Sequence, residues 1–225
     1  MFFDKNEPLT VAARSSRLSR AQVAEVLQEL RTLNSAYASF NFIPCWTETR
    51  GDRDLLTPLR HLDKTDFFTD TVDRMVVEGH CRIAIHSAKD LPDVLPKELE
   101  IVAITKGVDS SDSLVFPQTL SSQPRVGVSC HRREEAVKKL YPEAQCRDIR
   151  GTIDHRLAQL QEGHFDAVVI AEAALIRLEL THLNRMRLDC TTAPLQGQLA
   201  IVARAGDRQM QELFGGMDVR TLSGV

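Results

Sequence analysis

Cysteine is sparse and unpaired in this sequence: 225 residues hold five, Cys45, Cys81, Cys130, Cys146 and Cys190, and no C-x-x-C. An odd, scattered set excludes a disulfide framework and a zinc site of the usual spacing, and it suits a reducing compartment. Aromatics are few, at 5%, with the single tryptophan Trp46, so no row of rings is available to stack on nucleic-acid bases. Positive charge is not in surplus. The formal net charge is −3, which excludes a global basic field for nucleic acid. Long apolar runs are missing, since no window reaches the ~18 residues that a membrane span requires. The opening "MFFDKNEPLT" has an early acid and no apolar core, so a secretory signal is not expected. There is no G-x-x-x-x-G-K-[ST] loop to cradle a nucleotide's phosphates. The histidines lack metal-ligand spacing. A cytoplasmic protein with no metal, nucleic-acid or membrane partner is expected.

Hydrophobic residues make up 43% of the chain, enough for a proper core. Short apolar runs alternate with amphipathic helical patterns. "LTVAA" (9–13) reads as a strand, and "SRAQVAEVLQEL" as a helix with a Ser19/Gln22 capping box and Val23, Val26, Leu27, Leu30 and Leu33 on one face. "NFIPCW" reads as an edge strand, because Pro44 cannot donate to a ladder. A helix around Val72, Met75 and Val76 ends near Gly79, and "RIAIH" (82–86) is a buried strand. "LEIVAI" (99–104) follows, then the turn-rich "KGVDSSDS", a candidate hinge. A second unit runs through strand "RVGVS", helix "RREEAVKKL", a helix with Ile153, Leu157 and Leu160, strand "DAVVIA" and helix "EAALIRLEL". "LAIVAR" (199–204) is one more strand. This order predicts an α/β fold of two units with mixed or parallel sheets. The expected boundaries are 1–106 plus 193–225 for one lobe and 107–192 for the other, with a ligand cleft between them.

In such sheets ligands bind beyond the carboxyl ends of strands, near helix starts. Four polar clusters fall at such positions: Arg14, Ser15 and Ser16; His86, Ser87, Lys89 and Asp90; Ser129, Cys130, His131, Arg132 and Arg133; and Arg150, Gly151, Thr152 and Arg156. Singly, each reads as a solvated strand end. Together, six cations with only Asp90 as an evident acid predict a cleft for a polyanionic small molecule, because the guanidinium fork matches carboxylate or phosphate. Cations at helix starts oppose the macrodipole unless an anion sits there. Physics alone leaves carboxylate and phosphate both open.

The segments "HSAKDLP", "VGVSCHRRE", "RDIRGTIDHRLAQLQEGHFDAVVIAEAALIRL" and "APLQGQLAI", with "LTVAARSSRLSRAQ" before them, resemble the porphobilinogen deaminase (hydroxymethylbilane synthase) family in order and spacing. The similarity covers roughly residues 9 to 204. It implies two periplasmic-binding-protein-like lobes with mixed sheets, a hinge and a central cleft. It also implies tetrapyrrole biosynthesis: four porphobilinogen units joined with loss of ammonia to give hydroxymethylbilane, grown on a thioether-linked dipyrromethane cofactor. The alternative is a degenerate member that binds pyrrole carboxylates without turnover. By resemblance Asp90 is the catalytic acid and base and Lys89 assists it. Lys89, Asp90, Cys130, Arg132, Arg133 and Arg156 fall at cofactor-binding positions, and Arg14, Ser16, Arg150, Arg156 and Arg177 at substrate-binding ones. His86 reads as structural, positioning the Lys89–Asp90 step. The partners expected are polycarboxylate pyrroles, and the protein is expected to be a monomer.

Some features depart from the family pattern. Cys130 stands where the family usually has serine, and it is either a small stand-in or another thiol for an adduct. "DKTDFF" (63–68) stands for a glycine-rich loop, and the G-Q-G turn is reduced to Gln196-Gly197. The family's third, α+β domain, which bears the anchoring cysteine, is expected to be absent. No cysteine follows Cys190.

Overall fold

The computed structural model describes residues 8–33, 37–54, 57 and 66–220. The chain divides into two compact units: Met1–Arg53, Lys64–Gly107 and Gln198–Val225 make one, and Asp54–Asp63 with Val108–Gly197 the other. It passes from one to the other after Arg53, Asp63, Gly107 and Gly197.

The first unit is a five-stranded sheet in the order β2-β1-β3-β10-β4. β1 (Leu9–Arg14) pairs in parallel with β2 (Phe42–Thr47) and β3 (Ile83–Ser87). β10 (Leu199–Arg204) runs antiparallel to β3 and to β4 (Leu99–Ile104). Two-residue alternation sorts the side chains onto two faces. Val11, Ala13, Ile83, Ile85, Leu199 and Ile201 pack with Val23, Val26 and Leu30 of α1 (Arg17–Leu33) and with Met210 and Phe214 of α7 (Arg208–Phe214). Ala12, Ala84, Ala200 and Val202 face the other way, onto Val72 and Val76 of α3 (Asp70–Val77). Covered on both faces, the central strands are apolar through their middles, with polar residues such as Arg14, His86 and Arg204 toward their ends. Proline-bearing β2 does lie at the edge.

Helix α1 starts earlier than expected. Ser16 Oγ, not Ser19, accepts the free N–H of Ser19 at 3.2 Å, and Ser19 is buried inside the helix. Gln22 closes no capping box. Its Nε2 donates instead to Ser87 Oγ at 2.8 Å, tying the helix to the end of β3. Leu33, assigned to the core face, is 54% exposed at the helix end.

The second unit repeats the pattern as β7-β6-β8-β5-β9. β6 (Arg125–Val128) is parallel to β7 (Gln145–Asp148) and β8 (Ala167–Ala171), and β5 (Asp112–Val115) is antiparallel to β8 and β9 (Arg185–Leu188). Leu114, Val126, Val128, Val169 and Leu188 pack on Ala136 and Val137 of α4 (His131–Leu140). Helices α5 (Ile153–Gln161) and α6 (Glu172–Arg177) follow β7 and β8. Three strands are not expected from sequence: β5, which begins at the end of the supposed hinge, and the short edge strands β7 and β9. Helix α7 was also missed.

Candidate functional site

In the first unit β1 and β3 are parallel, so their carboxyl ends share one edge of the sheet. β1 stops at Arg14, and Ser16 follows as the cap of α1. The Arg14 guanidinium is held by Asp52, whose Oδ2 also accepts from Thr49 N at 3.0 Å and Thr49 Oγ1 at 2.9 Å. Burial alone would raise the Asp52 carboxyl, but Arg14 and Thr49 bring it below the usual carboxylate range. The Phe68 ring lies 4.9 Å from the Arg14 guanidinium carbon, a cation–π distance. Phe68 belongs to the short 3-10 turn Asp66–Phe68, while the preceding part of the loop, 63–65, lies outside the described residues.

β3 ends at Ser87 and passes into a single 3-10 turn, Ala88–Asp90. Ala88 is the buried foot of that turn, and Lys89 and Asp90 are half-buried on it. Leu91 returns to extended backbone, as a residue before proline must. Asp90 makes no hydrogen bond or ion pair among the described residues, so its carboxyl remains available. One strand residue back, His86 Nε2 lies 2.9 Å from Asp73 Oδ1 of α3, both side chains being nearly solvent-free. That pair pins the base of the turn.

In the second unit β6, β7 and β8 are parallel, and their carboxyl ends likewise share one edge. Cys130 is the extended N-cap of α4, with no side-chain cap bond. Arg132 and Arg133 occupy the first turn, where the helix dipole disfavours cations. The structure supplies the compensating charge in Asp112, wholly buried at the start of β5. Arg132 Nη1 donates to Asp112 Oδ2 and Arg133 Nη2 to Asp112 Oδ1, each at 2.6 Å. Burial would raise Asp112, but Arg133 and then Arg132 overcome it and hold its carboxyl below the ordinary range. Arg132 Nη1 also meets the Thr191 carbonyl at 2.8 Å, and Arg133 Nη1 donates to Ser129 Oγ at 2.9 Å.

The remaining arginines are fixed by backbone carbonyls. Arg150 Nη2 donates to the Asp54 carbonyl, Arg156 Nε to that of Gly151 at 3.0 Å, and Arg177 Nη2 to that of Gly197 at 2.8 Å. Gly151, at φ +93°, makes the turn between β7 and α5, whose N-cap Thr152 accepts from His155 N.

The residues singled out from sequence therefore collect at one sheet edge per unit: Arg14, Ser16, Lys89 and Asp90 in the first, and Cys130, Arg132, Arg133, Arg150, Arg156 and Arg177 in the second. The expectation that Asp90 is the only acid among these cations is corrected. Asp52 and Asp112 are there too, Asp52 spent on Arg14 and Asp112 on both Arg132 and Arg133. Asp52, in the one-turn α2 (Arg50–Arg53), is detectable as the fourth residue of Thr49-Arg50-Gly51-Asp52, a capping pattern. Asp112 carried no signal, because it looked like part of a polar turn. Among the described residues no three His, Cys, Asp or Glu side chains are placed to hold a metal, and no helix is long and apolar enough to cross a membrane.

The chain is similar to known proteins. The family model described as porphobilinogen deaminase, dipyromethane cofactor binding domain, matches residues 9–212. A Chlamydia pneumoniae protein named "Probable porphobilinogen deaminase" is 43% identical over 218 residues, 95% of this chain and 91% of that one. Porphobilinogen deaminase of Roseiflexus castenholzii is 33% identical over 218 residues, 93% of this chain and 71% of its own. Among solved structures, an amino acid ABC transporter substrate-binding protein from Streptococcus pneumoniae, bound to L-arginine, superposes with a TM-score of 0.51 at 13% identity, covering 96% of this chain and 88% of its own. That likeness concerns the fold alone, two mixed-sheet units of the periplasmic-binding-protein kind. With the family model matching residues 9–212 and relatives 43% and 33% identical over more than nine-tenths of it, this chain belongs to the porphobilinogen deaminase family and to tetrapyrrole biosynthesis.

Proposed function

We propose that this protein joins four porphobilinogen units head to tail into hydroxymethylbilane, releasing ammonia at each step, in the cytoplasm. The observation that carries this reading is the contrast among three acids. Asp52 and Asp112 are neutralised by arginines, whereas Asp90, half-buried at a strand end beside Lys89, has no side-chain partner among the described residues.

The donor set fits dipyrromethane, a ligand rich in carboxylates. Arg132 and Arg156 would hold its acetate and propionate groups, with Arg133 buried behind Arg132, Cys130 at the N-cap of the same helix as Arg132, and Lys89 as a further cation. When bound, that group supplies the free pyrrole carbon on which growth starts. Arg14, Ser16, Arg150 and Arg177 would take the carboxylates of the incoming substrate. Guanidinium–carboxylate pairs are charge-assisted and directional, so they orient as well as bind. Asp90 then serves twice. As an acid it delivers a proton as the substrate's C–N bond breaks and ammonia leaves. Ionised, it stabilises the positive charge left behind, and it takes the proton released from the pyrrole carbon once the new C–C bond has formed.

The test supplies purified protein with porphobilinogen and preformed hydroxymethylbilane, and follows porphobilinogen consumption and ammonia release. The native protein is expected to turn over. Asp90→Asn is expected to lose at least ~100-fold in rate while still binding ligand, the usual scale for removing a general acid–base group. Native protein that binds pyrrole carboxylates but never consumes porphobilinogen would establish a binding protein without turnover.

A further inference from the structure

Arg132 and Arg133 are neighbours in sequence, yet the structure gives them unequal surroundings. Arg133 is 7% exposed, with both Nη atoms engaged, on Asp112 and Ser129. Its Nε is buried without a partner among the described residues. Arg132 is 24% exposed, and all its bonds are made by one atom, Nη1, which meets Asp112 Oδ2, the Thr191 carbonyl and, at 3.5 Å, Cys190 Sγ. Its Nε and Nη2 have no partner among the described residues. Those two parallel N–H groups form the edge that matches a carboxylate bidentately.

We infer that Asp112 is a positioning residue: it clamps one end of Arg132 so that the Nε–Nη2 edge is presented to a ligand carboxylate, with Arg133 as the buried strut that fixes the clamp. This rests on the functional reading above and adds a division of labour within the Arg-Arg step. Asp112 Oδ1 is itself held by Arg133 and by Gln196 Nε2 at 3.1 Å, so the carboxyl is oriented before any ligand arrives. Pre-orientation removes part of the ordering cost that a long, flexible side chain otherwise imposes on binding.

The sign of one substitution separates positioning from charge balance. Asp112→Asn changes the formal charge of the three-residue cluster from +1 to +2. If Asp112 merely neutralised the arginines, its loss would tighten binding of an anion. If it positions Arg132, binding weakens despite the added positive charge, because an asparagine Nδ2 opposes Nη1 donor to donor. The probe is a synthetic dipyrromethane carrying free acetate and propionate groups, compared with its methyl ester by titration calorimetry. Native protein is expected to prefer the acid, and Asp112→Asn to lose at least tenfold of that preference. A general loss of structure would instead weaken acid and ester alike.

Arg132→Lys covers the case in which Asp112→Asn does not fold. Lysine keeps the ion pair with Asp112 but has no Nε–Nη2 edge, and the same tenfold loss is expected. Unchanged acid preference in Arg132→Lys, or equal or tighter acid binding by folded Asp112→Asn, overturns the inference while leaving the functional reading intact. Native protein that binds neither probe overturns both.

Discussion

Asp73 and His86 are both withdrawn from solvent and share a 2.9 Å contact, so neither has water as a substitute partner. Asp73→Ala is expected to destabilise the first unit by about 1–3 kcal/mol, the penalty for leaving a buried polar group unpaired, seen as a lower urea midpoint with unchanged slope. At this scale the sequence exposed the cations and hid their partners. Arg14, Arg132 and Arg133 stood out at strand ends, whereas Asp52 lies 38 residues from Arg14 and Asp112 lies 20 from Arg132. Side-chain pairing over such separations follows from strand order, which no local spacing encodes. Asp73 carries no local signal of its partner, which only the packing of α3 over β3 brings to it.

Among elements, the buried parallel strands and the larger helices were legible, because their apolar periodicity is strong. The strands that escaped notice explain themselves. β7 (QCRD) and β9 (RMRL) are sheet edges, with too little buried surface to show an apolar run. β5 (DSLV) is fully buried but opens with Asp112 and Ser113, whose partners are Arg132, Arg133 and Glu172. The chain leaves the second unit through Leu195 at φ +58° and Gly197 at φ +88°. A Cβ on Gly197 would press into the Asp109 carbonyl, and the Gly197 carbonyl holds Arg177. Gly197→Ala is therefore expected to cost about 1–3 kcal/mol, the scale of a forced left-handed residue, measured as a drop in the second unit's unfolding midpoint.

At the scale of the whole molecule, arginine-paired carboxylates set the acid limit of stability, Asp52, Asp112, Glu172 and Asp218 among them. Burial works to raise Asp52, Asp112 and Asp218, but Arg14, the Arg133–Arg132 pair and Arg220 overcome it; Arg185's hydrogen bonds lead in lowering Glu172. Each carboxyl therefore titrates lower when folded than when unfolded. Their contribution is complete above the unfolded values, about 3.9 for Asp and 4.3 for Glu, and is lost as pH falls through the lower folded ones. The melting temperature is expected to be level near pH 6 and to fall steeply below about pH 4. Asp112→Asn, where folded, should shallow that fall. An acid limb of the same steepness in the variant would remove Asp112 from this account.

Local pattern alone determined the two-unit α/β class, the edge position of the proline-bearing strand, and the Lys89–Asp90 step just past a buried strand. Those features rest on side-chain periodicity and backbone chemistry, which act over a few residues. Tertiary structure decided which acids are spent and which is left over. Parallel strands bring distant ends to one edge of each sheet, and only there do Asp52 and Asp112 meet their arginines, while Asp90 meets none among the described residues.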